Sequence, residues 1–100
     1  MIVEYLRYTI PDDQQAEFRN SYDAAHVALM QSPYALGFEL CQCVDDPAKF
    51  IVQIRWTSAE DHLKRFRQSA EFRAFLDHIR QYVPMLDEMR HYETLVRAAL

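Results

Sequence analysis

The feature that most constrains the fold is the stretch of residues 50–79, in which a strand pattern changes directly into a helical pattern. It begins with alternating apolar residues, which are typical of a strand, and the turn Trp56-Thr57-Ser58 ends this run. Ser58 is followed three residues later by Asp61, which is the spacing of a helix-capping pair. A second capping residue, Ser69, precedes further apolar residues at helical spacing, so we predict a bend near Ser69.

The rest of the chain supplies two strands and a helix before this stretch and one strand after it. The predicted strands are residues 2–10, 38–44, 50–56 and 89–96, and the first helix runs from Asp12 or Asp13 to about residue 31. The order is therefore β-α-β-β-α-β. With right-handed crossovers, this order predicts a single α+β domain over residues 1–100, with a ferredoxin-like fold. In that fold a four-stranded antiparallel sheet carries both helices on one face.

The alternation of residues along the strands predicts two unlike faces of the sheet. One face is apolar enough to lie beneath the helices, with Glu4 and Gln42 as its polar exceptions. A buried carboxyl such as that of Glu4 needs a partner or a raised pKa, which makes Glu4 a candidate site residue. The apolar residues of this face are Ile2, Leu6, Tyr8, Ile10, Phe38, Leu40, Phe50, Val52, Ile54 and Trp56.

The opposite face of the sheet mixes apolar and charged residues over roughly 400 Å². A half-apolar patch of that size is unusual on a soluble monomer. We therefore predict a homodimer that forms through this outer face, in which Arg7, Glu39 and Arg55 pair across the interface or at its rim. The outer face carries Val3, Tyr5, Arg7, Glu39, Cys41, Cys43, Ile51, Gln53 and Arg55.

Composition argues against several kinds of partner. The net charge of −4 disfavours nucleic-acid binding, which needs a basic patch. The sequence has no apolar run of membrane-spanning length and no signal-peptide pattern at its N-terminus. Cys41 and Cys43 are too close along one strand for a good disulfide, and no second Cys pair accompanies them to bind a metal. We expect a cytoplasmic protein with reduced cysteines, no metal site, and neither nucleic acid nor membrane as a partner.

Three segments resemble the antibiotic biosynthesis monooxygenase family. They are Trp56-Thr57-Ser58 before a helix, Ser69-Ala70-Glu71-Phe72, and the closing Met89-Arg90-His91-Tyr92. The resemblance implies a dimeric α+β barrel with a cleft between the apolar sheet face and the helices of each subunit. Members of this superfamily resemble cofactor-independent oxygenases of polyketide or quinol substrates, or haem-degrading enzymes. Similar domains also occur joined to small truncated globins, which implies a truncated globin as a partner.

The haem-degrading branch of this superfamily uses an Asn on its first strand and a Trp and a His on its second helix. Aligning this chain with that pattern puts Leu6, Phe66 and Leu76 at the three positions. The resemblance therefore disfavours haem degradation by that mechanism. We expect no cofactor, with haem as the alternative.

A cofactor-free oxygenase needs an apolar, aromatic-lined cleft and one base whose pKa lies near the working pH. His26, His62 and His91 are the candidate catalytic bases. His26 lies at the flank of the buried stripe of the first helix. His62 lies in the first turn of the second helix, where the helix dipole favours the neutral imidazole. His91 shares a strand face with apolar neighbours and could reach the floor of the cleft. The alternative for each is an ordinary surface or structural histidine, as we expect for His78.

The candidate substrate-binding residues are Glu4, Tyr8, Trp56, Arg65 and Phe66. Trp56 could form a wall of the cleft, and Tyr8 could donate a hydrogen bond to a substrate oxygen. Both are alternatively core residues. Arg65, near the predicted bend, could stabilise an oxyanion or could be a solvated charge. Phe66 is predicted to face inward together with Leu63.

The resemblance implies a cofactor-independent monooxygenase that acts on a small hydrophobic aromatic substrate, such as a phenol, a quinol or a polyketide-like compound. The alternative is a non-catalytic dimeric α+β barrel of the stress-protein type, or one that binds haem or another ligand.

Overall fold

The computed structural model describes residues 1–99. Within them the chain forms four strands and two α-helices. The elements are β1 (Ile2–Thr9), α1 (Gln15–Leu29), β2 (Ala35–Gln42), β3 (Lys49–Trp56), α2 (Ala70–Ile79) and β4 (Leu86–Glu93). Short 3-10 turns cover Asp12–Gln14, Phe66–Gln68 and Arg80–Met85, and a π-helical turn covers Asp61–Arg65. None of these helices is long and apolar enough to cross a membrane.

The four strands form one antiparallel sheet in the order β2-β3-β1-β4. Because β1 and β3 are central, the two helical connections cross over a neighbouring strand, as the ferredoxin-like order requires. α1 and α2 pack against each other and cover one face of the sheet. The predicted α+β ferredoxin-like fold is confirmed.

The second strand begins three residues earlier than predicted. Ala35 pairs with Trp56 at the end of β3, so the ladder extends beyond the predicted start at residue 38. It ends at Gln42, which pairs with Phe50, and the turn to β3 follows. The sequence pattern did not indicate this start, because a register irregularity between Ala35 and Gly37 interrupts the alternation of inward and outward side chains.

The fourth strand spans Leu86–Glu93, so the prediction of residues 89–96 was wrong by three residues at each end. Its limits follow from its partner β1. Ile2 pairs with Glu93 and Tyr8 pairs with Leu86, so few β1 residues remain to extend the ladder. Past the strand, the N–H of Thr94 still donates to the carbonyl of Met1 at 2.9 Å.

α1 presents a regular apolar stripe to the sheet. Phe18, Tyr22, Ala25 and Leu29, spaced at four, three and four residues, are all fully buried. Full burial of a large apolar side chain stabilises a fold by about 1.5–3 kcal/mol, so this stripe anchors the helix. The predicted stripe is confirmed.

The segment between β3 and α2 is wound irregularly. The hydroxyl oxygen of Ser58 accepts the N–H of Asp61 at 2.9 Å, as the capping pattern predicts. The N–H of Phe66 then bonds to the carbonyl of Asp61, five residues back. This wider turn directs His62 and Phe66 inward and leaves Leu63 46% exposed, so the prediction that Leu63 faces inward was wrong.

The predicted bend at Ser69 is confirmed. Ser69 has an extended backbone (φ −91°, ψ 161°), which separates the 3-10 turn from α2. Its hydroxyl oxygen accepts the N–H of Phe72 at 3.1 Å and donates to the carbonyl of Phe66 at 2.6 Å. The single serine therefore ends one helical segment and begins the next.

Candidate functional site

A cavity of about 140 Å³ lies between the sheet and α2. Its walls are apolar or aromatic apart from a few residues. Val83 and Met89 are 42% and 46% exposed and mark where the cavity approaches the surface. The lining residues are Glu4, Leu6, Tyr8, Ile54, Trp56, His62, Phe66, Arg67, Phe72, Phe75, Leu76, Ile79, Val83, Leu86 and Met89.

A buried carboxyl faces this apolar space. Glu4 lies in the middle of the sheet on β1, between Ile54 of β3 and His91 of β4, and is 2% exposed. The indole N–H of Trp56 donates to its Oε1 at 3.0 Å. Burial raises the pKa of Glu4 to about 7, and this shift is opposed by the Trp56 hydrogen bond and by the charge of Arg67. The carboxyl can therefore hold or release a proton near neutral pH.

His62 lies against this carboxyl. It is 4% exposed, and its ring stacks on the indole of Trp56 with centroids 4.3 Å apart. Its Nε2 is 3.6 Å from Oε1 of Glu4. Burial lowers the pKa of His62 to about 3, and the positive charge of Arg67 adds to this effect. His62 is therefore neutral near pH 7, and its contact with Glu4 is not an ion pair.

His91 continues the cluster towards the surface. It stands opposite Glu4 in the ladder between β1 and β4, and its Nε2 lies 2.7 Å from Nδ1 of His62. His91 is half-buried, and burial and Arg67 together lower its pKa. The cluster therefore runs from the buried carboxyl of Glu4, through the buried imidazole of His62, to the half-buried imidazole of His91.

The same three residues are of types that can ligate a metal, since one ligand atom of each lies within 4.8 Å of the others. Sets of two histidines and a carboxylate bind zinc or iron in other proteins. Nitrogen ligands around tetrahedral zinc are about 3.3 Å apart. The 2.7 Å between His62 and His91 is instead the length of a hydrogen bond, so the observed arrangement is a hydrogen-bonded pair of imidazoles.

Tyr8 also lines the cavity, and it is paired with Tyr22 behind it. The hydroxyls of Tyr8 and Tyr22 are 2.5 Å apart, and both residues are buried. Burial raises the pKa of Tyr8 to about 12. The pair contains two O–H groups but needs only one for its mutual bond, so one O–H remains available to another acceptor.

The relationship of this chain to known proteins follows from its sequence. The family model described as antibiotic biosynthesis monooxygenase matches residues 1–78. The chain belongs to the antibiotic biosynthesis monooxygenase family. The match covers β1 through most of α2, and so includes Glu4, Trp56, His62 and Phe66. His91 lies beyond the matched residues.

Individual relatives of this monooxygenase-family chain are distant in sequence. The uncharacterized protein YczJ of Bacillus subtilis (strain 168) is 19% identical over 93 residues, which are 93% of this chain and 98% of YczJ. The structure of Rv0793 from Mycobacterium tuberculosis has a TM-score of 0.75 at 17% identity, covering 98% of both chains. SnoaB, a cofactor-independent oxygenase from Streptomyces nogalater, has a TM-score of 0.70 at 18% identity, covering 99% of this chain and 95% of SnoaB. At these identities the structures show the shared fold alone.

Most of the residues singled out from the sequence meet at the cavity. Glu4, Tyr8, Trp56, His62 and Phe66 all line it, and His91 joins them through His62. This arrangement brings residues of β1, β3, β4 and the π-helical turn to one place.

Two of those residues lie elsewhere. The ring of His26 stacks on Phe38 at 5.3 Å, in a surface groove between α1 and β2. Arg65 is exposed and pairs with Asp61 on its own turn. The arginine that lines the cavity is Arg67, two residues further along. The extra residue in the π-helical turn rotates the side chains that follow it about the helix axis. This rotation explains why Arg67, and not Arg65, lines the cavity.

The remaining wall of the cavity comes from α2. Phe72, Phe75, Leu76 and Ile79 follow a helical spacing after Ser69, and they form the side of the cavity opposite the sheet. The sequence pattern predicted that these residues face inward. It carried no signal that they leave a gap instead of closing on the sheet.

Proposed function

We propose that this protein is a cofactor-independent monooxygenase that oxidises a small phenol or hydroquinone in the cavity beneath α2. The observation that carries the proposal is the carboxyl of Glu4, which is buried at the wall of an apolar cavity with its pKa raised to about 7. A group with this pKa is half deprotonated near neutral pH, which suits a general base. SnoaB, which shares the fold, is itself a cofactor-independent oxygenase.

The size of the cavity limits the substrate. A protein cavity of about 150 Å³ holds one benzene molecule. The cavity of this protein, at about 140 Å³, therefore suits a single aromatic ring better than a polycyclic compound. Its apolar walls favour a neutral ring. Glu4 and Tyr8 both line it and lie four residues apart on β1, roughly 13 Å along the strand, so each can meet one ring oxygen of a 1,4-hydroquinone.

The chemistry begins with proton transfer from a substrate hydroxyl to the carboxylate of Glu4. The resulting phenolate gives one electron to dioxygen, which forms a phenoxyl radical and superoxide. These two combine into a carbon–oxygen bond, which gives a peroxide. The oxygen–oxygen bond then breaks as the ring carbon loses its proton. One oxygen atom stays on the ring and the other leaves as water.

Overall, hydroquinone and dioxygen give hydroxyquinone and water. The substrate loses four electrons, and these reduce both atoms of dioxygen, so no external reductant is consumed. The base acts on two substrate protons, and both end in the water that leaves. Glu4 is therefore required in its deprotonated form at the start of every turnover.

A homodimer through the outer face of the sheet is part of this proposal. Tyr5 and Tyr92 pack edge to face at 5.2 Å on that face, and Ile51 lies half-buried on β3 opposite Arg7. Replacing Ile51 with Lys places a charge in the interface and should convert a dimer into a monomer of 11.9 kDa. The control is Val44→Lys, since Val44 is 92% exposed in the β2–β3 turn. A wild-type protein that is monomeric by light scattering contradicts the dimer.

The alternative is a non-catalytic module that binds a small ligand in the same cavity. Its support is that the walls other than Glu4, Tyr8, His62 and Arg67 are apolar or aromatic and need no reaction to hold a neutral ring. A porphyrin is far larger than a cavity of about 140 Å³, so a small aromatic molecule fits this alternative better than haem.

Oxygen uptake with a panel of phenols and hydroquinones tests the proposal. We expect uptake with single-ring hydroquinones and its loss in Glu4→Gln, by roughly 10²–10⁴-fold, which is the usual contribution of a general base. His78→Ala, which changes an exposed residue of α2, is the control and should keep wild-type uptake. Tight binding of hydroquinones without any uptake contradicts the oxygenase and favours the binding module.

A further inference from the structure

Glu4 is 2% exposed, and because its pKa is raised to about 7, part of the resting protein carries it in the protonated form. That proton needs a path to solvent before turnover can begin. The other residues with polar side chains that line the cavity, among those the structure describes, are Tyr8, His62 and Arg67, together with the indole of Trp56. An arginine side chain is not deprotonated in proteins, and burial raises the pKa of Tyr8 to about 12. His62 is the lining residue that can exchange a proton with Glu4 near neutral pH.

The geometry continues from His62 to the surface. The Nε2 of His62 is 3.6 Å from Oε1 of Glu4, and its Nδ1 is 2.7 Å from Nε2 of His91. Exposure increases along the same line: Glu4 is 2% exposed, His62 is 4% exposed and His91 is half-buried. A neutral imidazole carries one N–H and one free nitrogen, so it can accept a proton on one side while it releases another on the opposite side.

Such a transfer needs no charged histidine. A protonated Glu4 gives its proton to Nε2 of His62, His62 passes the proton of its Nδ1 to His91, and His91 releases its own to solvent. Both imidazoles change tautomer and end neutral. The step requires the gap between Glu4 and His62 to shorten from 3.6 Å to a hydrogen-bond length of about 3.0 Å.

The charges around this path favour release of the proton. The positive charge of Arg67 stabilises the Glu4 carboxylate and disfavours a positive charge on His62 or His91. The indole N–H of Trp56 also stabilises the carboxylate. The buried hydroxyls of Tyr8 and Tyr22 stay neutral and do not compete for the proton.

We propose that His62 and His91 form a two-imidazole path through which Glu4 exchanges its proton with solvent. The proposal rests on the proposed role of Glu4 as the base, and it assigns to the two histidines a positioning role that acts through Glu4. It extends the site from the cavity to the surface at β4.

The protein contains its own reporter for a test without substrate. Trp56 is the single tryptophan of the chain and donates directly to Glu4, so its fluorescence should change with the charge of that carboxyl. After a rapid pH change across pH 7, the fluorescence of the wild type should relax quickly. The same signal should be absent in Glu4→Gln, which establishes its origin.

His91→Leu fills a similar space but cannot carry a proton, so it should slow this relaxation by roughly 10²-fold. His78→Ala is the control and should relax as the wild type does. Relaxation of His91→Leu at the wild-type rate overturns the proposal. In His91→Ala, added imidazole should accelerate the relaxation in proportion to its concentration, whereas a rate independent of imidazole also contradicts the path.

The outcome separates the path from the function. Slow relaxation in His91→Leu in a protein that shows no oxygen uptake keeps the proton path and removes the oxygenase. Oxygen uptake together with wild-type relaxation in His91→Leu keeps the oxygenase and removes the path.

Discussion

The layer between the sheet and the helices is packed differently under α1 and under α2. Under α1, Phe18 contacts the rings of Tyr8, Phe50 and Tyr82 at centroid distances of 4.9, 4.9 and 5.0 Å, and this region is filled with aromatic side chains. Under α2, the same layer contains a cavity of about 140 Å³ with Glu4 and His62 in its wall. One half of the layer holds the fold together, and the other leaves room for a ligand.

The winding of the helices explains this difference. α1 is 15 residues of uninterrupted helix, so its stripe meets the sheet along its whole length. The segment before α2 is a π-helical turn followed by a 3-10 turn, and a new helix begins after Ser69. Each change of winding moves side chains off a regular stripe, and a buried histidine and a gap result. Irregular helix is therefore what distinguishes the candidate site from the core.

The largest effect should come from removing an aromatic ring from the filled half. Phe18→Ala should lower the free energy of unfolding by about 4 kcal/mol, because it leaves a new cavity among rings that cannot collapse. Phe72→Ala, at the half-buried edge of the existing cavity, should cost about 2 kcal/mol or less. Denaturant unfolding of both variants measures the contrast. Equal losses would mean that the two halves are packed alike.

The next largest effect is expected from the charge of Glu4, in the half that contains the cavity. Because the pKa of Glu4 is raised from 4.5 to about 7, the folded state favours its protonated form. Its contribution to stability is full below pH 4.5 and is lost as pH rises through 7. Relative to wild type, Glu4→Gln should therefore gain about 3 kcal/mol in free energy of unfolding across this window.

His62 acts in the opposite direction, since its pKa is lowered from 6.5 to about 3 and its contribution to stability is lost as pH falls. It is present in both proteins, so comparing Glu4→Gln with wild type at each pH isolates the carboxyl. Urea unfolding over the pH range gives that difference. A difference that does not vary with pH would show that Glu4 titrates as an ordinary exposed carboxyl does.

The smallest effect is expected from a Leu→Phe substitution made once in each half. Leu29→Phe overpacks the filled half under α1 and should cost about 2 kcal/mol. Leu76→Phe extends into the cavity, so it should cost less than about 1 kcal/mol while weakening the binding of an aromatic ligand. Thermal unfolding and ligand titration of the pair measure both quantities. A larger loss of stability for Leu76→Phe would mean that the cavity is not available space.

The regular half of the molecule was predictable from the sequence and the irregular half was predictable only in part. The stripe of α1 follows the helical period, and the two faces of the sheet follow the strand period, so both could be assigned residue by residue. The capping residues Ser58 and Ser69 correctly indicated where helical segments begin. The π-helical turn between them has no signature in the sequence, and for this reason Leu63 was placed inward instead of His62.

The register of the last strand could not be predicted from the sequence either. Nothing in residues 86–93 specifies that His91 stands opposite Glu4, because that pairing depends on where β4 meets β1 and on the irregularity between Arg7 and Tyr8. Glu4 itself was noticed as a carboxyl on an apolar face. Its partners became clear only when the strands were placed side by side.

The most direct test of Glu4 as the catalytic base is the pH dependence of oxygen uptake with a single-ring hydroquinone. We predict that kcat/KM rises with pH through an apparent pKa near 7, as the carboxyl of Glu4 loses its proton. The same profile in Glu4→Gln should lack this rise and fall by roughly 10²–10⁴-fold at its maximum. A wild-type profile that Glu4→Gln reproduces, in shape and in magnitude, would contradict the role of Glu4 as the base.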